Sequence, residues 1–198
     1  MPDLPSIPAP KLERLIRAGD EAREEFRTFA KGRHHLFIPC DHHEAYETLR
    51  ELRSRATTFV ELGSGAGIVT IIADALGFEA YGIEMEPWLI ERSTDIAEGF
   101  GSGATFAEGT FVQPAYQDEV EHLSGDFLTP TDGSYAFDEL GLELSDFDLV
   151  FAYPWPGDED WLAELIRRYA RADVILLTYG SRDGFQVNGS PSGNSARR

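Results

Sequence analysis

Glu61-Leu62-Gly63-Ser64-Gly65-Ala66-Gly67 follows a β-type run, Thr57-Thr58-Phe59-Val60, and opens a helical one, Ile68-Val69-Thr70-Ile71-Ile72-Ala73. Three glycines at alternate positions let a strand-to-helix turn approach a ligand closely, because no Cβ intervenes and positive φ is available. Twenty-one residues after Gly63, a second β-type run, Glu79-Ala80-Tyr81-Gly82-Ile83, ends in Glu84. Strand, glycine turn, helix, strand and acid in this order make a βαβ unit, and an acid at the end of its second strand is placed to hold a ribose diol. A glycine-rich turn can also serve only to pack helix on strand. The complete series of elements favours a ligand.

The glycine spacing separates ligands. A dinucleotide loop needs G-x-G-x-x-G, with its pyrophosphate on the helix N-terminus. Here the pattern is G-x-G-x-G, and Ile68 stands where the last glycine of that motif would be. Glu61 sets negative charge where a pyrophosphate would sit, which suits a cationic ligand better. Glu61, Gly63, Ser64, Gly65 and Gly67 together resemble the first motif of the class I (seven-strand, Rossmann-like) S-adenosyl-L-methionine-dependent methyltransferases. In that family the acidic position lies by the cofactor's methionine part. The stretch Gly82-Ile83-Glu84-Met85-Glu86-Pro87-Trp88-Leu89-Ile90 adds to the likeness. Glu84 can accept two hydrogen bonds from vicinal hydroxyls, and Met85 can lie against the adenine face. Both stretches resemble the small seven-strand protein-lysine methyltransferases, whose second strand ends in a similar acid followed by a Pro-Trp-Leu helix start. The resemblance covers residues 57–93.

In this family the adenine contact usually follows strand three, often as an aspartate. Two stretches qualify, Glu108-Gly109-Thr110-Phe111 and Ser124-Gly125-Asp126-Phe127. Thr110 lies 26 residues beyond Glu84 and Asp126 lies 42 beyond it. The shorter distance is that of a helix plus a strand and points to Gly109, Thr110 and Phe111, with Thr110 or a backbone group on the adenine edge. That departs from the family's acid. Tyr153-Pro154-Trp155-Pro156-Gly157-Asp158 follows strand four, the run Phe147-Asp148-Leu149-Val150-Phe151-Ala152-Tyr153, and is similar to the Asn/Asp-Pro-Pro-Tyr/Phe motif of amino-group methyltransferases, with Tyr153 in the polar place. Ligands of open α/β sheets bind outside the carboxyl ends of the strands, so this loop faces the transferred methyl group. Tyr153 and Trp155 are candidates to surround a cation, and Asp158 to orient an incoming ammonium. The other reading of the loop is a rigid turn that caps the sheet with buried aromatics.

The 198 residues suffice for one α/β domain. Strands alternating with helices predict a doubly wound, mostly parallel sheet. The chain divides into a mobile tail over 1–10, an N-terminal helical segment over 11–56, a cofactor-binding core over 57–183 with an insertion at 112–146, and a flexible tail over 184–198. Only 19 residues follow strand five, which reads as Asp173-Val174-Ile175-Leu176-Leu177-Thr178-Tyr179. The family's C-terminal helix and antiparallel hairpin need about 40, so at most one short strand fits there, near Phe185-Gln186-Val187.

Net charge is −18 and Cys40 is the only cysteine. An acidic chain repels phosphate backbones, so nucleic acid is not expected as a partner. No membrane-spanning run and no secretory signal are expected, and a single cysteine fits a reducing, cytoplasmic setting. Residues 113–146 hold nine acids and no lysine or arginine. They read either as a solvated acidic loop or as a field that draws in a cationic amine or a basic protein segment. Cys40-Asp41-His42-His43, with His34 and His35, invites a metal. Adjacent residues at a helix start cannot converge on one ion, and zinc spacings separate the ligands. No metal is expected; Asp41 reads as the N-cap of a capping box with Glu44. In the family a segment before strand one often closes over the cofactor, which here implies residues 39–46.

The leading expectation is an S-adenosylmethionine-dependent methyltransferase acting on an amine, lysine or a basic small molecule. Alternatives are a small-molecule N- or O-methyltransferase and a non-catalytic S-adenosylmethionine-binding module. A nicotinamide-dependent oxidoreductase is disfavoured by the glycine spacing and the lack of a substrate domain. Oligomeric state is left open.

Overall fold

The computed structural model describes residues 5–29, 38–123, 129, 131 and 133–189. In chain order the elements are α1 (Ala9–Phe29), α2 (His42–Leu52), β1 (Thr58–Leu62), α3 (Ile68–Ala75), β2 (Glu79–Glu84), α4 (Pro87–Phe100), β3 (Thr105–Glu108), α5 (Gln117–Leu123), α6 (Ala136–Leu140), β4 (Leu149–Ala152), α7 (Glu159–Tyr169), β5 (Ile175–Gly180) and β6 (Gly184–Gly189).

The strands form one six-stranded sheet in the order β3-β2-β1-β4-β5-β6. The first five are parallel and β6 pairs antiparallel with β5. Alternate side chains feed two cores. Phe59, Leu149, Phe151, Ile175 and Leu177 pack with α1, α2 and α3 on one face. Val60, Leu62, Val150 and Ala152 pack with α7 and the 112–146 segment on the other. Parallel strands covered on both sides carry unbroken apolar runs for this reason.

The insertion is more than a solvated loop. Val112, Tyr116, Val120, Phe137 and Leu144 are buried in the second core, while Asp118, Glu119, Glu121, Asp138, Glu139, Glu143 and Asp146 face solvent. A parallel bridge between Thr110 and Tyr135 ties its interior to the residues just before it.

Two tail boundaries are corrected. At the N-terminus, α1 already begins at Ala9, and Ile7 is buried with its N–H 3.4 Å from the Tyr46 hydroxyl. At the C-terminus, Gly184–Gly189 is a strand, because Phe185 packs on Phe151 and Tyr179 and so gives the segment an apolar anchor. The remaining tail residues, 1–4 and 190–198, lie outside the described residues. The chain order of the strands reverses direction at β1, which lies between β2 and β4. Such a switch point opens a crevice at the carboxyl ends of the strands.

Candidate active site

The glycine loop is built as its spacing predicts. Gly63, Gly65 and Gly67 have φ of +81°, +54° and +75°, a region that costs other residues strain. Gly63 and Ser64 donate their N–H groups to Ile83 O at 2.9 and 2.8 Å, so the loop continues the β1–β2 ladder. The three glycines divide the work. A Cβ on Gly63 would meet nothing within 4 Å, leaving that side open to a ligand. A Cβ on Gly67 would lie 2.6 Å from the Phe106 ring and 2.8 Å from Ser93 Cβ. Gly67 therefore serves helix–strand packing and does not line the cavity described below.

Glu84 ends β2 and locks the loop. Its Oε2 accepts from Gly65 N–H at 2.9 Å, and its Oε1 accepts from the N–H groups of Met85 and Glu86 at 2.8 and 3.0 Å. Burial raises its carboxyl, and the three backbone donors pull it back down. Glu61, on β1, is buried. Its Oε2 accepts from Thr70 N–H at 3.0 Å and from the Thr70 hydroxyl at 2.6 Å. Burial pushes Glu61 up to about 8, against those two bonds and with Glu84 adding to the rise.

A cavity of about 670 Å³ opens over the carboxyl ends of β1 and β4. The backbone or side chains of Glu61, Gly63, Ser64, Gly65, Glu84, Met85, Gly109, Phe111, Tyr153, Trp155 and Asp158 all line it. The sequence candidates thus converge on one space, with two exceptions, Gly67 and Thr110. Thr110 is buried away from the cavity, where its hydroxyl accepts from Val112 N–H at 3.1 Å and its N–H donates to Ser134 O at 2.9 Å. A bridge to Tyr135 accompanies this placement, and of the expected adenine contact, Thr110 or a backbone group, the Thr110 side chain is not at the cavity wall. Gly109 and Phe111 stay at the wall. The rival candidate Asp126 lies outside the described residues.

In the loop after β4, Tyr153 meets Tyr179 edge-on at 4.9 Å, and Tyr179 meets Phe185 at 4.8 Å. Strand β6 therefore buttresses the aromatic wall. Asp158 is buried and accepts from the Thr129 hydroxyl at 2.5 Å. Thr129 is the point at which the insertion reaches the cavity among the described residues.

Sequence reasoning missed Phe26, Trp161, Thr129 and Ser181, which also line the cavity. Phe26 and Trp161 sit on apolar helix stripes indistinguishable from ordinary core positions, and Thr129 and Ser181 carry no local signal. Pro39, Cys40 and His42, within the segment implied to close over the cofactor, are at the wall. Burial raises the Cys40 thiol well above its usual range, with Glu61 adding to it, and burial lowers His42. Asp41 caps α2 by accepting from the N–H groups of His43 and Glu44, each at 3.0 Å. Glu44 turns instead toward β6, its Oε1 3.4 Å from Phe185 N. Among the described residues no group of three or more His, Cys, Asp or Glu is placed to hold a metal. No helix among them is long and apolar enough to cross a membrane.

No family model matches the chain. The human lysine N-methyltransferase of the ATP synthase c-subunit is 37% identical over 72 residues, 35% of this chain and 31% of that protein. Its Xenopus laevis counterpart is 39% identical over 54 residues, 27% of this chain and 24% of that protein. The likeness thus spans about a third or less of those relatives' own length. Among solved structures, an RNA methyltransferase from Salinibacter ruber in complex with S-adenosyl-L-homocysteine superposes with a TM-score of 0.56 at 14% identity. The superposition covers 81% of this chain and 98% of that one. An O-methyltransferase from Bacillus cereus, also in complex with S-adenosylhomocysteine, gives 0.52 at 12% identity over 87% and 66%. The chain shares with these S-adenosylmethionine-dependent enzymes their Rossmann-like fold, a mostly parallel sheet flanked by helices.

Proposed function

We propose that the protein binds S-adenosylmethionine in this cavity and transfers its methyl group to an amine nitrogen, of lysine or of a basic small molecule. The observation that carries the reading is the composition of the cavity wall. It includes four acidic residues, Glu61, Glu84, Glu86 and Asp158, with aromatic residues, and no lysine or arginine among the described residues. Such a wall favours cations and disfavours phosphates. The cofactor and the acceptor amine are both cationic in water.

The residues fit the adenosyl cofactor. The open face of Gly63 leaves room for its backbone to approach, and Glu84 keeps acceptor capacity for ribose hydroxyls beyond the three amides it holds. Met85, Gly109 and Phe111 supply an apolar and backbone surface for adenine. When bound, S-adenosylmethionine supplies a methyl on a sulfonium, which an amine lone pair takes by in-line displacement. The chain's part is to position the amine and exclude water. The Tyr153 and Trp155 rings enclose the acceptor in a low-dielectric space, which lowers an ammonium's pKa and favours the free base. Asp158 orients the incoming ammonium before its proton leaves to solvent. The lysine N-methyltransferases among the relatives support an amine acceptor within a protein.

Incubation with methyl-labelled S-adenosylmethionine and fractionated lysate tests the reading. Label is expected in protein. Label in small molecules would assign a metabolite substrate, and a protein that binds the cofactor without turnover would be a binding module. Tight binding of NAD with none of S-adenosylmethionine would overturn the cofactor assignment.

A further inference from the structure

Glu61 is 6% exposed at the floor of the cavity, and no positive charge faces it among the described residues. Both Thr70 hydrogen bonds go to Oε2, which leaves Oε1 without a partner among the described residues. The groups around it are acids or neutral. Glu84, from β2, acts on it unfavourably when it is charged, and Cys40, from the segment before α2, is a neutral thiol that burial and Glu61 keep protonated. β4 sets Phe151 opposite, β2 sets Gly82 opposite, and α3 contributes Thr70. His42, from α2, lines the same cavity but is lowered by its own burial. A carboxyl in these surroundings is stable in its neutral form, and Glu61 holds its proton up to about 8.

A sulfonium or an ammonium entering this cavity would be the first cation that Glu61 meets. We propose that Glu61 is the charge-reading residue of the cofactor site: neutral in the unliganded protein, it gives one proton to solvent as the cationic cofactor binds and remains as the anion facing the ligand. The inference rests on S-adenosylmethionine being the ligand of this cavity. Thr70 is the positioning residue, since its two donors stabilise the anion that binding creates. Cofactor affinity then carries the cost of deprotonating Glu61 and weakens about tenfold for each pH unit below about 8. Between about pH 5.5 and 7 the cofactor's own α-ammonium stays protonated, so the slope in that window belongs to the protein.

Calorimetric titration of the full chain with S-adenosylmethionine in phosphate and in imidazole, buffers of different ionisation enthalpy, counts the protons released. About one is expected at pH 6.5, with affinity rising about tenfold from pH 6 to 7. Glu61→Gln keeps an acceptor for Thr70 and should release none and bind with flat pH dependence. Thr70→Val should still release one proton but bind more weakly at pH 7, because the anion loses a donor. No proton released by the unmodified protein, or a slope that persists in Glu61→Gln, would overturn the inference while leaving the cofactor reading intact. Absence of S-adenosylmethionine binding at every pH would overturn both.

Discussion

At the scale of single residues, Glu84 and Glu61 do different work although both are acids beside the same loop. Glu84 is held by three backbone donors and shapes the turn, so Glu84→Ala removes the proposed ribose partner and also frees the N–H groups of Gly65, Met85 and Glu86. Cofactor affinity should fall by about 1.5–3 kcal/mol, the scale of hydrogen bonds to a charged group. Titration calorimetry checks this, and an unchanged affinity would put the ribose elsewhere. Glu61 affects stability through its proton. In the folded protein it titrates at about 8 against an ordinary 4.5, so the folded state binds more protons than the unfolded chain between those values. Stability must then fall as pH rises through that window, with the loss complete above about 8. Glu61→Gln removes the charge that must be buried. Its melting temperature should exceed that of the unmodified protein at pH 8.5, and the gap should close toward pH 5. A gap that widens on acidification would refute the sign. Both acids were legible in the sequence, because each stands at a strand end that the βαβ pattern fixes. The burial of Glu61 was not legible. It depends on the packed sheet and on Thr70, nine residues on, which donates twice to Oε2.

At the scale of elements, the parallel core was legible almost to the residue. β2 occupies 79–84 as its apolar run predicts, and α4 begins at Pro87, where the ring's fixed φ suits a first helical position. Gly67 shows where local reading stops. Its place in the motif suggests a ligand contact, yet its missing Cβ makes room for Phe106 and Ser93, residues from β3 and α4. Only the packed fold reveals that. Gly67→Ala should therefore destabilise the protein by roughly 1–3 kcal/mol, from strain at positive φ and from overpacking. Equilibrium denaturation checks the figure, and a neutral effect would mean that Phe106 can move aside. The same limit hid the insertion. Its acids dominate its composition, while the buried set Val112, Tyr116, Val120, Phe137 and Leu144 is spread over short turns with no period to read. Strand β6 was partly legible, as a short strand near 185–187. Its full length follows from pairing with β5 and from Phe185 resting on Phe151, contacts that no local pattern encodes.

At the scale of the molecule, charge and cavity together bear on the acceptor. The net charge of −18 biases encounters toward cations at long range. The exposed acids of the 112–146 segment stand on its outer surface, and Glu119 is already paired with Arg168 at 2.8 Å. On the proposed reading, selection near the reacting centre falls to the acids of the wall and to the aromatic loop after β4. These two contributions separate experimentally. Diffuse steering is screened once the Debye length shrinks from about 10 Å at 0.1 M salt toward about 3 Å at 1 M. Raising salt over that range should lower kcat/KM for a cationic acceptor severalfold while kcat, set in the enclosed cavity, changes little. Trp155→Ala should do the reverse: turnover falls about ten- to a hundredfold because the acceptor is no longer held in line, while S-adenosylmethionine affinity stays within about twofold. Equal losses of turnover and cofactor affinity would make Trp155 a structural residue. An acceptor whose kcat/KM ignores salt, or an anionic acceptor that outcompetes a cationic one, would show that the acidic surface plays no part in choosing the substrate.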